Sequence, residues 1–235
     1  MDETVNSLES NRRLVAWAAI LVPVIGWSCL ASFLVATDGD LTVVFRPEQF
    51  LALDSSSISL FKLGLVLDVF GYYLTFFIIG PYFRDLLRPR QGQIIDMAHA
   101  CLIAYVLLGI IGAAMQLTTV TPLANLWAGS DPIVRTTSEV NWMSVATMAQ
   151  NGIWGMEGPV MAFWGWVVGK GLRASGVRYG TLLMASGLAY GAFFVAIAVG
   201  SAEAASGIQT VAIILLPVWA LLTGIDLLRK APGNG

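Results

Sequence analysis

The chain is poor in the side chains that most often carry chemistry. It has one histidine, His99, in 235 residues, so neither a bis-histidine haem nor a three-histidine metal site can form. Its two cysteines, Cys29 and Cys101, both fall inside apolar stretches. They show neither a disulfide framework nor metal-ligand spacing, and they read as small buried packing residues. No lysine stands in the middle of a late apolar block, which excludes a retinal Schiff base. There is no phosphate-binding glycine loop, no helical HExxH and no suggestive serine–histidine spacing. No basic cluster of the kind that binds nucleic acid is present. No metal and no cofactor is expected.

Charge itself is scarce. Charged residues make up 12% of the chain, against roughly 25% in an average soluble domain. What replaces them is apolar: 57% of residues are hydrophobic and the mean hydropathy is +0.74. The apolar residues come in blocks of about 20, the length that crosses roughly 30 Å of hydrocarbon as a helix. Six blocks stand out, at about 14–35, 59–81, 94–118, 142–169, 179–200 and 208–228. They lack the ten-residue alternation of barrel strands. The first is too long for a signal-peptide core and reads as a retained helix. The expectation is an all-α fold: residues 1–235 as one polytopic transmembrane bundle of six helices.

Basic residues orient such a bundle. With six spans, one side collects Arg12, Arg13, Arg84, Arg88, Arg90, Lys170, Arg173, Arg178, Arg229 and Lys230. The other side has only Arg46, Lys62 and Arg135. Both termini are therefore expected in the cytoplasm. The opposite face carries two longer loops with Asp38, Asp40, Glu48, Asp54, Asp131 and Glu139. They read as a solvated acidic surface, with a cation-collecting mouth as the sharper alternative. The stretch "RPEQFLAL" in the first of these loops reads as a short amphipathic piece on the membrane surface.

An ionisable group inside a span costs at least about 2.5 to 3.5 kcal/mol on insertion scales, so it needs a partner or a role. Three remain once helix-end charges are set aside: Asp68, His99 and Glu157. From the helical rise, Asp68 is placed near the midplane, Glu157 about 10 Å from the cytoplasmic edge and His99 about 8 Å from it. Gln150, Trp154, Glu157, Met161 and Trp164 share one face of the fourth span, and Asp68, Tyr72 and Thr75 share one of the second. Pro159 cannot donate to the carbonyl of Gly155, and Gly152, Gly155 and Gly158 resist bending little. A kink is therefore expected over 155–159, with Glu157 inside it, facing protein or a cavity. The candidate ligand-binding residues are Asp68, Tyr72, His99, Gln150, Asn151, Trp154 and Glu157. The bland alternative is a hydrogen-bonded core glutamate paired with His99 or a tyrosine, with Asp96 satisfying His99.

Three segments carry a resemblance. They are "LGLVLDVFGYYLTFFIIGPYFRDLLRPRQGQIIDMAHACLIAYVLL", "FWGWVVGKGLRASGVRYGTLLMASGLAY" and "LLPVWALLTGIDLLRK". Together they resemble a family of small bacterial six-helix integral membrane proteins known as a domain of unknown function. The resemblance implies six helices in a prokaryotic plasma (inner) membrane and assigns no catalytic residue. The reading is a non-enzymatic, multi-pass integral membrane protein surrounded by the lipid bilayer. It would bind an apolar or amphipathic small molecule, or serve as an accessory subunit of a larger membrane-protein assembly. The alternatives are a membrane-embedded enzyme using Asp68 and Glu157 as acid and base on a lipid or isoprenoid, and a small transporter.

Overall fold

The computed structural model describes residues 2–129 and 131–229, and among them the chain is helical with no strand. Lys230, one of the ten clustered basic residues, lies outside the described residues. Helix α1 (Asp2–Ala36) leads through a 3₁₀ turn (Leu41–Phe45) into the short α2 (Pro47–Leu51). Helix α3 (Ser55–Asp68) continues through a π-helical segment (Val69–Leu74) into α4 (Thr75–Gln91). Then come α5 (Gln93–Ala128), α6 (Pro132–Thr147), a second π-helical segment (Met148–Ile153), α7 (Glu157–Ala174), α8 (Gly180–Ala198) and α9 (Ala202–Arg229).

Five helical runs are long and apolar enough to cross a membrane: Asn11–Ala36, Ser55–Gln91, Gln93–Ala128, Gly180–Ala198 and Ala204–Arg229. Four of the five are longer than the apolar blocks suggested, and Gly180–Ala198 is slightly shorter. The second continues past Pro81 and Pro89, and the third past Pro122. A proline inside a membrane helix costs one backbone bond but does not force an end where neighbours satisfy the freed carbonyl.

The block at 142–169 is not one helix. Trp154 N–H donates to Ala149 O in π register, then Glu157 N–H donates to Trp154 O and Gly158 N–H to Gly155 O across tight three-residue turns. The expected kink is thus a full break at residues 154–156, and α7 starts at Glu157 itself. Glycine at 152, 155 and 158 and the missing donor of Pro159 explain why the chain breaks here.

Close glycine contacts set the helix order. Gly224 of α9 lies against Ala16 and Ile20 of α1, while Tyr72 sits between Gly26 of α1 and the carbonyl of Ile213 of α9. Helices α1 and α9 therefore run antiparallel, with Arg12 and Arg229 at one end, called here the basic end. Helices α7 and α8 meet backbone to backbone at Gly165 and Gly187, and again at Gly169 and Gly180. At the basic end Tyr179 donates to Asp226 Oδ2 at 2.5 Å, tying the start of α8 to the end of α9.

The apolar interior forms two main cores. One, toward the basic end, holds Phe76, Phe83, Tyr105, Trp164 and Trp219. The other, toward the opposite end, holds Phe50, Phe61, Leu65, Trp142 and Trp154. Phe50 of α2 is fully buried and stacks on Trp142 at 4.5 Å, and Trp142 Nε1 donates to Val44 O at 2.9 Å. The stretch "RPEQFLAL" therefore folds inward as a cap on the bundle instead of presenting its apolar face to lipid. Three of the acidic residues at this end cap helix starts: Asp40, Asp54 and Asp131. Hydrogen bonds from the Ser56 hydroxyl and from the Ser57 amide and hydroxyl hold the Asp54 carboxyl well below the usual carboxylate range.

Candidate functional site

The buried acids lie between the two main cores, Asp68 immediately before the first π-helical segment and Glu157 four residues after the second. In the first π-helical segment Gly71, Tyr72 and Tyr73 are all buried, and the two rings enter different pockets. Tyr72 points to α1 and α9, donating to Ile213 O at 3.2 Å. Tyr73 points the other way, to α5 and α7, and its hydroxyl donates to Glu157 Oε1 at 2.9 Å. Asp68, one turn before Tyr72, is buried as well, and its Oδ2 has no hydrogen-bond partner among the described residues.

Asp68 and Glu157 lie within electrostatic range of each other, with Tyr73 beside both. Tyr105 of α5 packs on Tyr73 at 5.1 Å between ring centroids, and Tyr190 of α8 packs on Tyr105 at 6.0 Å. Cys29 of α1 neighbours Asp68. Neither carboxyl is in an ion pair, and among the described residues no group of three histidines, cysteines or carboxylates is placed to hold a metal. The site is two carboxyls and three phenols enclosed by apolar walls, with one carboxyl oxygen left to accept a proton or a hydrogen bond.

Glycines seat the aromatic rings. A Cβ at Gly109 would overlap the Tyr73 ring, and one at Gly112 would overlap the Trp154 indole. Trp154 Nε1 donates to Gly109 O at 3.1 Å. About one turn further along each helix, Gln150 donates to Gln116 Oε1 at 3.1 Å, and Gln116 is fully buried. Gln150, Trp154 and Glu157 thus line a single seam against α5 and the second span.

The remaining candidates lie elsewhere. Asn151 is exposed on the outer side of the π segment. His99 packs near Gly80, seven residues and about 10 Å along the second span from Tyr73. Its Nδ1 is buried without a partner. Asp96 does not satisfy it, because Asp96 takes Arg84 Nε at 2.6 Å and Arg88 Nε at 3.2 Å. Glu157 is accordingly not at the depth of His99. It is level with Tyr73, eleven residues or about 16 Å from Arg84. The depth reckoned along an unbroken fourth helix differs because that helix is broken. Tyr73, Tyr105, Tyr190 and Gln116 were not among the sequence candidates. The tyrosine pair at 72–73 inside an apolar span was the available signal. A shallow cavity of about 450 Å³ lies on α6, lined by Pro132, Ile133, Thr136 and Val140, and touches none of these residues. No family model matches the chain, and no curated protein or solved structure matches it.

Proposed function

We propose that the protein is a non-enzymatic, six-span protein of a prokaryotic inner membrane, with both termini cytoplasmic, whose buried Asp68–Tyr73–Glu157 cluster is a proton-binding site. The interrupted run of α6 and α7 supplies the sixth crossing. The observation that carries the reading is the Tyr73–Glu157 hydrogen bond with the unpartnered Asp68 Oδ2 beside it, each carboxyl standing next to a π-helical segment along the chain. Uncompensated charge at this depth is costly, so exchange of a proton is the chemistry the pair can perform without a cation. π-helical turns are frequent at functional sites, and the break next to Glu157 provides a joint that proton uptake could bias. The seam is filled by Tyr73 and Trp154 against Gly109 and Gly112, which favours a proton over an amphipathic ligand. The accessory-subunit reading rests on a different observation, the apolar groove on α6 with Ile133 76% and Val140 60% exposed.

Infrared difference spectroscopy of the reconstituted protein tests the proton reading. A carboxylic-acid C=O band should be present at neutral pH and change in Glu157→Gln or Asp68→Asn. Spectra identical to the parent in both variants would end the proposal. Glu157→Gln should fold like the parent, because the amide oxygen still accepts from Tyr73. Glu157→Leu orphans that hydroxyl and should lose about 1–3 kcal/mol of stability.

A further inference from the structure

Helices α8 and α9 carry a row of buried polar atoms that the cluster does not use. The Tyr179–Asp226 hydrogen bond sets their antiparallel register at the basic end. Ser186 lies seven residues into α8 from Tyr179, and Trp219 seven residues into α9 from Asp226, so both sit about 10 Å deep at one level. Both are fully buried, and neither Ser186 Oγ nor Trp219 Nε1 has a partner among the described residues. Thr223, three residues from Asp226 and about 4–5 Å deep, is 1% exposed and its hydroxyl is equally unpartnered. Tyr190 stands eleven residues into α8, about 16 Å deep, the level reckoned for Tyr73 from Arg84. The hydroxyl of Tyr105, packed between Tyr73 and Tyr190, also has no partner by hydrogen-bond geometry.

Buried polar atoms are nearly always hydrogen-bonded, and where protein does not supply the partner, internal water does. Isolated orphans would point to isolated waters. Counted along the helix axes, they fall at levels about 5–6 Å apart, a step of one or two waters, from the Tyr179–Asp226 pair to the phenols around Glu157. We infer that a hydrated path runs between α8 and α9 from the basic end to the buried carboxyl cluster. Serine, threonine and tyrosine hydroxyls both accept and donate, so they pass a proton along the row, whereas the Trp219 indole only donates and anchors a water. A proton entering beside Asp226 displaces one proton per step until a carboxylate at 68 or 157 accepts it, and release is the reverse. No other bond is made or broken. As a proton inlet, the path rests on the reading of the carboxyl pair given above, but its hydration can be measured separately.

Indole N–H exchange into deuterated solvent, read by NMR on the full chain with labelled tryptophan, measures that hydration. Trp142 and Trp219 are both fully buried. Trp142 is bonded to Val44 O and lies in the other core, so it should exchange at least about 100-fold more slowly than Trp219. Thr223→Val keeps the shape and removes the hydroxyl. It should slow exchange both of the Trp219 indole and of the carboxylic-acid band by about tenfold. Trp219 as protected as Trp142, or insensitive to Thr223→Val, overturns the path. Fast Trp219 exchange without any carboxylic-acid band removes the reading of the pair and leaves the path standing. Fast Trp219 exchange with a carboxyl band indifferent to Thr223→Val shows that the path does not serve the pair.

Discussion

Replacing Gly109 by alanine is the most incisive perturbation of the site, because it touches no polar atom. The added Cβ falls within the Tyr73 ring. That ring cannot step aside freely: Tyr73 is buried, with Tyr105 packed at 5.1 Å and its hydroxyl on Glu157 at 2.9 Å. Overpacking of this kind costs about 1–3 kcal/mol. If the ring moves far enough to release Glu157, a buried donor and acceptor are orphaned at about 1–3 kcal/mol more. Alanine recovers up to about 1 kcal/mol through helix propensity. The net expectation is a loss of about 3 kcal/mol. Gly207 of α9 is the control, because a Cβ there meets no atom within 4 Å. Gly207→Ala should be neutral or stabilising by up to about 1 kcal/mol. Reversible unfolding in mixed micelles reads both. In Gly109→Ala the loss should shrink when Tyr73 is also changed to Leu, since the obstructing ring is gone. Parent-like stability of Gly109→Ala with an unchanged Glu157 infrared band would refute the packing argument.

Two further outcomes follow from the ends of the bundle. Single cysteines placed at Arg88 and Arg173 should be labelled only from the cytoplasmic side, and those at Asp54 and Asp131 only from the outside; outside labelling at 88 would sink the six-span arrangement. The Asp54 cap should be pH-sensitive. Its folded carboxyl is held below its ordinary value, so its contribution is complete above about pH 4 and is lost as pH falls further toward the depressed value. Amide exchange at Ser57 reports this: protection should fall on acidification in the parent, be low throughout in Asp54→Ala, and stay nearly flat with pH in Asp54→Asn.

The membrane class and the helical architecture were legible in the amino-acid order, because crossing a bilayer demands long apolar runs with every backbone group bonded within its own helix. A weak point at 155–159 was legible too, since glycine and proline act on their own backbone, but the full break at 154–156, ahead of Glu157, was not. The need to accommodate Asp68 and Glu157 inside the bundle, where both are buried, was legible as well, because burying an ionisable group is costly wherever it is placed. Partner choice was not legible. Tyr72 and Tyr73 are chemically identical neighbours, and nothing local says that the first reaches Ile213 and the second Glu157. Gly109 and Gly112 look like generic packing glycines until the rings of Tyr73 and Trp154 are found against them. His99 falls away from Glu157 because depth along a helix can be counted only while that helix is continuous. Sequence alone thus determined which side chains had to be accommodated inside the bundle. The tertiary structure decided which of them meet, because helix register and rotation depend on contacts between residues far apart in the chain.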